Sequence, residues 1–257
     1  MSDHRVIEGA VRNLANAMRI FGEQHMDFAA TFKVDREEAI DNVDRTFEMK
    51  LEAFHTLYDV SRDIFPYFDH ADTSLLIAVR NGIHHRNHPL FCTLNHRLHI
   101  EDGVERWAGA SFLLARHPTT HGGEIQMSHH VRLDDLDARL NPLVASQYLD
   151  SFLSGSKAEK RFELISAGLS LQTIRDRASQ ERYPADQVYL DLMPIFVSAV
   201  CKVFKAVKTA GIGFKGFDAS TYAEPFTSEL AVDLNRLSFK RLWLRGYGPL
   251  DLIPFPV

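Results

Sequence analysis

Several residue types are scarce in this chain of 257 residues, and each scarcity excludes a class of protein. The two cysteines, Cys92 and Cys201, are too few for a disulfide framework or a four-cysteine zinc site. The chain has 14 glycines and 10 prolines beside 45% hydrophobic residues, so it is neither disordered nor fibrous. This length and composition predict one large folded domain over residues 1–257.

Positive charge and long apolar runs are also scarce. The formal net charge is −5, so the chain as a whole has no attraction to nucleic acid or to an anionic membrane. The most apolar run, residues 188–204, contains Asp191, Pro194 and Lys202, and it therefore predicts a buried helix rather than a membrane span. The N-terminus lacks the apolar core of a signal peptide. Together with the few cysteines, these features predict a cytoplasmic protein without a membrane partner.

The motifs of the commonest nucleotide-binding and hydrolase folds are missing. The sequence has no Walker loop and no Gly-x-Ser-x-Gly elbow, and Gly211 and Gly213 lack the third glycine of a dinucleotide-binding turn. Lysine is absent from residues 51–156, where every fixed cation is an arginine. The guanidinium fork suits bidentate contacts to phosphate better than an ammonium group does, so a local phosphate site remains open in this stretch.

The first 90 residues predict three consecutive helices with short connections. An apolar stripe at alternating spacings of four and three residues marks the first helix. Asp35, with Glu38 three residues later, is typical of a cap for the second. Asp72 or Thr73 is the expected N-cap of the third helix, which ends before Pro89. Three such helices predict an antiparallel bundle.

A change of pattern after residue 90 predicts a small antiparallel sheet. One segment alternates between apolar and polar residues, two further segments also have the character of strands, and turn residues separate the three. We therefore expect a β-rich insertion, residues 95–137, within the helical domain. The candidate strands lie at residues 94–100, 109–116 and 124–133.

Helical patterning resumes in the second half of the chain. Ser156 with Glu159 is typical of a capping box and predicts a helix through Arg177 or beyond. The apolar run after Pro184 predicts another helix that ends near Thr209. We expect these helices to pack against the first three, so the predicted fold is mainly α, with an inserted small antiparallel sheet.

Histidine is concentrated around the third helix, since ten of the 13 histidines fall within residues 70–130. The most specific local feature is the run Arg80-Asn81-Gly82-Ile83-His84-His85-Arg86 at the end of that helix. Gly82 costs about 1 kcal/mol relative to alanine inside a helix, so something other than helix propensity favours it. Asn81 and His85 are four residues apart and share a face beside Arg80. One turn therefore presents a guanidinium, an amide and an imidazole.

These three groups suit the cleavage of RNA without a metal. An imidazole exchanges protons at neutral pH and can take one from a ribose 2′-hydroxyl or give one to the leaving 5′-oxygen. A guanidinium can hold the phosphate and stabilise the charge that develops on its oxygens. One helix supplies one such imidazole, whereas two copies that meet across a twofold axis supply two, which predicts an active site shared by a homodimer.

The spacing Arg80-Asn81, three residues, His85 resembles the Arg-Asn-x-x-x-His signature of the HEPN superfamily. The resemblance implies a helical bundle, commonly a dimer, and in many members a metal-independent endoribonuclease of a toxin-antitoxin or antiphage defence system. It implies that Arg80 and His85 are the catalytic pair, that Asn81 is the polar residue that often follows the arginine, and that no cofactor is needed. An RNA substrate and an antitoxin or defence-system partner are the expected partners.

Two alternatives need no catalysis. In the first, the domain binds RNA or nucleotides without cutting them, with His84, Arg86 and Trp107 as substrate contacts. Residues 80–132 contain six arginines against four acidic residues, so this part of the chain is locally basic. In the second, Arg80 has a structural role and pairs with an acidic residue such as Asp63.

A metal-binding hydrolase is a further alternative. His84 and His88 are four residues apart on a helix, and imidazoles at this spacing can ligate zinc, with a carboxylate such as Glu101 or Glu124 to complete the site. The sequence has no HExxH motif, so no general base accompanies these histidines.

Overall fold

The structure is a computed structural model that describes residues 4–84, 90–101, 103–150 and 155–245. Over these ranges the chain is mainly helical, as predicted, with a four-stranded mixed sheet and a two-stranded sheet. The helices are α1 (His4–Val34), α2 (Arg36–Ser61), α3 (Ala71–His84), α4 (Leu94–His96), α5 (Leu133–Leu140), α6 (Ser156–Gly168), α7 (Leu171–Gln180), α8 (Leu192–Thr209) and α9 (Phe217–Glu224). The strands are β1 (Ser111–Arg116), β2 (Thr119–His121), β3 (His130–Arg132), β4 (Val188–Asp191), β5 (Ala231–Val232) and β6 (Ser238–Trp243).

The two long helices α1 and α2 pack along each other and form the largest contact in the fold. Asp35 caps α2, because its side chain accepts a hydrogen bond of 3.0 Å from the backbone N–H of Glu38, as predicted. The apolar stripe of α1 is buried as its spacing predicts, and it consists of Ile7, Val11, Leu14, Met18 and Phe21.

The third helix, α3, begins at Ala71, so the predicted cap at Asp72 or Thr73 is wrong. Asp72 lies inside the helix, fully buried, and serves a long-range contact instead. Its carboxylate accepts a hydrogen bond of 2.7 Å from Ser198 Oγ and lies 2.8 Å from Lys202 Nζ. Both partners belong to α8, so the prediction that later helices pack against the first three is confirmed.

Packing explains the glycine inside α3. A Cβ atom at residue 82 would fall well inside contact distance of the Phe91 ring, which lies directly against the helix backbone. Phe91 is held there because its backbone N–H donates to Asp135 Oδ2 at 2.9 Å. Gly82 is therefore favoured by close approach and not by helix propensity.

Residues 94–100 are helical, so the predicted first strand is wrong. Thr93 Oγ1 accepts a hydrogen bond of 3.3 Å from the His96 backbone N–H, which caps α4, and a π-helical turn at Arg97–Glu101 continues it. Leu94 and Leu98 are both buried. Because they are four residues apart, they share a face in a helix as well as in a strand, and alternation alone does not distinguish the two.

The larger sheet is mixed and is not a local insertion. Its strand order is β3-β4-β1-β6, in which β1 runs parallel to β4 and antiparallel to β6. The two strands from the predicted insertion, β1 and β3, are not neighbours, because β4 from the second half lies between them. The expectation of a separate antiparallel sheet within residues 95–137 is therefore wrong.

Both faces of β1 are buried, which accounts for its continuous apolar sequence. Leu113 and Ala115 face the main core, while Phe112 and Leu114 belong to a smaller cluster with Trp107. The sheet thus separates two unequal apolar layers.

The second half differs in detail from its predicted helices. The helix that begins at Ser156 ends at Gly168, because Ser170 has a left-handed backbone conformation (φ 53°) before α7 begins. The apolar run that starts at Val188 is first the strand β4 and then α8, which ends at Thr209 as predicted. Within the described ranges, none of the helices has the length and apolar character that a membrane span requires.

Candidate functional site

Glu52 of α2 brings together two residues of the predicted motif. Its Oε2 accepts a hydrogen bond of 2.7 Å from Arg80 Nη2, and its Oε1 lies 3.5 Å from His84 Nδ1. Arg80 Nη1 also donates to Asn81 Oδ1 at 3.2 Å. Because α2 packs against α3, one carboxylate holds a guanidinium and an imidazole side by side at the end of α3.

The members of this cluster differ in their access to solvent. The side chain of Arg80 is 19% exposed, that of Glu52 is 45% exposed and that of His84 is 61% exposed. The buried Nε of Arg80 has no hydrogen-bond partner among the described residues. A carboxylate beside Nδ1 favours the imidazole tautomer protonated there, which leaves the basic lone pair on Nε2. The cluster thus contains a fixed cation and an oriented imidazole.

The rest of the motif, His85 and Arg86, lies outside the described residues, as does His88 of the metal alternative. The structural alternative for Arg80 is partly correct, since the arginine forms an ion pair, but its partner is Glu52 and not Asp63. Sequence reasoning missed Glu52, which precedes Arg80 by 28 residues. Glu52 lies on the same face of α2 as Glu48, and the sequence offered that position as its one indication. Such a charged face is typical of an ordinary solvated helix surface.

A groove runs along α2 from this cluster, and we call it the α2 groove. It has two adjoining parts that share Arg45, Glu48 and Ile83. The part next to Arg80 has a volume of about 370 Å³, and the part next to the segment after residue 90 has a volume of about 770 Å³. Its other charged or polar lining residues include Asp41, Asp44, Glu52, Arg80, His84, Cys92, Thr93, His96 and Glu101.

The described wall of the α2 groove is acidic. Five of its side chains are carboxylates, and two are arginines, so the local charge opposes a polyanion along most of its length. Arg80 lies at one end, beyond most of the acidic residues. A phosphate is therefore best accommodated at that end.

Asp44 is the most perturbed carboxyl group of the α2 groove. Its Oδ2 accepts a hydrogen bond of 2.9 Å from Thr93 Oγ1 and lies 4.0 Å from His96 Nδ1. Burial raises the pKa of Asp44 to about 7, and the hydrogen bond from Thr93 opposes that shift. A carboxyl group with this pKa can exchange a proton near neutral pH.

Cys92 lines the same groove but is not a nucleophile. Burial raises the pKa of its thiol to about 12, because a thiolate is poorly solvated there and Glu101 lies nearby. Its Sγ lies 3.6 Å from Glu101 Oε2. A thiol that stays protonated at neutral pH is inert toward carbonyl and phosphoryl groups.

Three of the arginines that made residues 80–132 locally basic lie against buried carboxylates. Arg97 and Arg132 both contact the fully buried Asp135, and Arg116 Nη1 lies 3.3 Å from Asp191 Oδ2. Trp107 is 8% exposed and packs in the smaller apolar cluster, so its ring has no open face on which a base can stack. The structure thus places these residues in supporting positions and not on a binding surface.

Of the two histidines of the metal alternative, His84 lies within the described residues and His88 lies outside them. Among the described residues, no group of three or more histidine, cysteine or acidic side chains is arranged to hold a metal ion. His84 faces Glu52, whereas His117 and His129 are buried in the core.

Comparisons of the chain with protein-family models, with curated proteins and with solved structures gave no match.

Proposed function

We propose that this protein is a metal-independent endoribonuclease of the HEPN type, with its site at the Arg80 end of the α2 groove. The observation that carries the proposal is the single carboxylate of Glu52, which lies against both Arg80 and His84. A guanidinium and an imidazole held beside each other are the groups that transesterification at a ribose phosphate requires.

Each group has a role in the proposed reaction. Arg80 binds the scissile phosphate and stabilises the charge on its non-bridging oxygens. An imidazole from His84 or His85 takes the proton of the 2′-hydroxyl, whose oxygen then attacks phosphorus and displaces the 5′-oxygen. Glu52 orients Arg80 and His84 and is a positioning residue. The products are a 2′,3′-cyclic phosphate and a 5′-hydroxyl.

The proposal includes a homodimer, because the leaving 5′-oxygen needs a proton donor on the opposite side of the phosphate. A second copy of α3 across a twofold axis supplies that imidazole and a second guanidinium. The protein should therefore sediment as a dimer. Mixing wild type with an Arg80 variant should lower the activity by more than the same dilution of the wild-type protein does.

The acidic wall of the α2 groove predicts how RNA binds. Because Arg80 lies at one end and the carboxylates follow, we expect the protein to neutralise only one or two phosphates. The logarithm of the binding constant should then fall with the logarithm of the salt concentration with a slope of about −0.7 to −1.4. A protein that tracks a long RNA backbone would have a much steeper slope.

The test is cleavage of end-labelled single-stranded RNA in EDTA, with the product ends identified by mass. Arg80→Ala and Glu52→Gln should reduce the rate, and separate His84→Ala and His85→Ala variants assign the general base. Arg177→Ala is the matched control, because Arg177 is an ion-paired surface arginine of α7 outside the α2 groove. We expect it to cleave at the wild-type rate.

Three results would overturn the proposal. Binding of RNA without cleavage would show a binding module, and loss of activity in EDTA would show a metal-dependent enzyme. Full activity of Arg80→Ala would place the site elsewhere.

A further inference from the structure

Lys50 of α2 is buried in the core and is 1% exposed. Its Nζ lies 3.4 Å from the ring centroid of Phe21 and 4.3 Å from that of Phe196. The hydrogen-bond acceptor in reach of Nζ is the thioether of Met193, at 3.1 Å, which is a weak acceptor. The groups found close to Nζ are therefore aromatic rings and a thioether.

No carboxylate of the described residues lies within ion-pair distance of Lys50. Asp191 acts on it only at longer range, and the Oδ1 of Asp191 is already used by the backbone N–H groups of His129 and Met193. Burial lowers the pKa of Lys50 well below its ordinary value of 10.5. The rings of Phe21, Phe47 and Phe196 each favour the ammonium form by about 2 kcal/mol, so they oppose the effect of burial. An amine with a lowered pKa has a larger neutral, nucleophilic fraction at neutral pH than an exposed lysine has.

A cavity of about 420 Å³ adjoins this amine, and we call it the Lys50 cavity. Its wall is mostly apolar and comes from α1, α8, the segment 122–127 and the end of α9. Phe21, Met193 and Phe196, the side chains that surround Nζ, are part of that wall. The volume falls within the range of small-molecule sites, and the lining suits an apolar ligand.

Two imidazoles lie next to the aromatic rings around Lys50. The ring of His25 lies 4.4 Å from Phe21, and that of His129 is stacked at 3.5 Å on Phe47. Burial lowers the pKa of both histidines. The buried Nδ1 of His25 has no hydrogen-bond partner among the described residues. A neutral imidazole in this position can relay a proton during a reaction at the amine.

We propose that Lys50 is a reactive amine that forms a Schiff base with an apolar aldehyde bound in the Lys50 cavity. The nitrogen lone pair attacks the carbonyl carbon, and a proton moves from nitrogen to oxygen to give a carbinolamine. Loss of the hydroxyl group and of the remaining N–H proton as water forms the C=N bond. The aldehyde and the amine thus give an imine and one water, and no oxidant or reductant takes part.

The test is reductive trapping of the full-length protein with nonanal and cyanoborohydride at pH 7, followed by peptide mapping. An exposed lysine has less than about one thousandth of its amine neutral at this pH, so Lys50 should be labelled at least tenfold faster than other lysines. The N-terminal amine has a lower ordinary pKa and serves as the internal measure of aldehyde reactivity. Glyoxylate, a small charged aldehyde, should not label Lys50.

The variant Lys50→Met should lose the adduct, whereas Lys205→Met, which removes an exposed lysine of α8, should keep it. Excess nonanol, which fills the cavity but has no carbonyl group, should slow labelling of Lys50 and leave the N-terminal amine unaffected. Labelling of the N-terminus and surface lysines without Lys50 would overturn the proposal. So would equal labelling of Lys50 by nonanal and glyoxylate, because the cavity would then provide no selection. RNA cleavage is not involved in either result, so this test is independent of the proposed nuclease.

Discussion

Replacement of Lys50 by methionine should stabilise the protein at neutral pH. Methionine has a similar length and keeps the apolar contacts with Phe21, Phe196 and Met193, but it has no charge to lose on folding. Lysine in the unfolded chain is protonated up to about pH 10.5, whereas burial lowers the pKa of the folded amine well below that value. Folding must therefore remove a proton from Lys50, and at pH 7 that removal costs about 5 kcal/mol at about 1.4 kcal/mol per pH unit.

The sign of the pH dependence follows from the proton count. Between the lowered pKa of the folded state and 10.5, the unfolded chain binds one more proton than the fold, so wild-type stability rises with pH. The Lys50→Met variant lacks this dependence. We expect the variant to be more stable by about 1–4 kcal/mol at pH 7 and to lose its advantage by about 1.4 kcal/mol for each pH unit above that.

Urea denaturation of wild type and Lys50→Met at several pH values between 6 and 9 measures the difference in stability and its dependence on pH. The difference between the two free energies of unfolding isolates Lys50, because the other groups titrate alike in both proteins. A variant that is less stable than wild type, with a pH-independent difference, would refute the reasoning. That result would mean that Lys50 is charged in the fold and that the rings around it stabilise an ammonium ion.

Three other substitutions test the packing and electrostatics of the site. Gly82→Ala should destabilise by about 1 kcal/mol in urea denaturation, because overpacking against Phe91 outweighs the gain in helix propensity; a more stable variant would contradict the close approach. Asp191→Ala should lower the free energy of unfolding by about 3–5 kcal/mol, since it leaves Arg116 and two backbone N–H groups without their buried partner. A small change in melting temperature would show that water replaces the carboxylate. The wild type should lose at most about 4 kcal/mol of stability between about pH 4 and 7, because the folded Asp44 carboxyl group keeps its proton to about pH 7 while the unfolded one loses it near 3.8. Asp44→Asn should abolish this loss. Parallel pH profiles of the two proteins would contradict this.

Local sequence was sufficient for the parts of the fold that depend on neighbours along one helix. The stripe of α1 and the Asp35 cap of α2 involve residues within one or a few turns, so spacing alone predicted them. Lys50 also had a local signal, because it lies three residues after Phe47 and four before Phe54, on the buried stripe of α2. A lysine at that position of an apolar stripe marks a buried amine, and sequence reasoning did not use it.

The sheet required information that local pattern does not contain. Residues 188–204 form one apolar run, yet Val188–Asp191 is a strand because β1 and β3 offer hydrogen bonds on both of its sides. Leu94 and Leu98 suit either a strand or a helix, and packing with Trp107 and the cap from Thr93 favour the helix. In the first segment, partners distant in sequence decided the conformation, and in the second a cap and a packing partner that alternation does not reveal decided it.

In the candidate site, too, some features follow from local sequence and others depend on the tertiary structure. The sequence placed Arg80 and Asn81 together with the histidines at the end of one helix, since residues three and four apart must share a helix face. Only the tertiary structure brought Glu52 against Arg80 and His84. It also paired three arginines with buried carboxylates and put three aromatic rings and a cavity around Lys50. Charge pairing and desolvation depend on distance in space, and helix packing sets that distance.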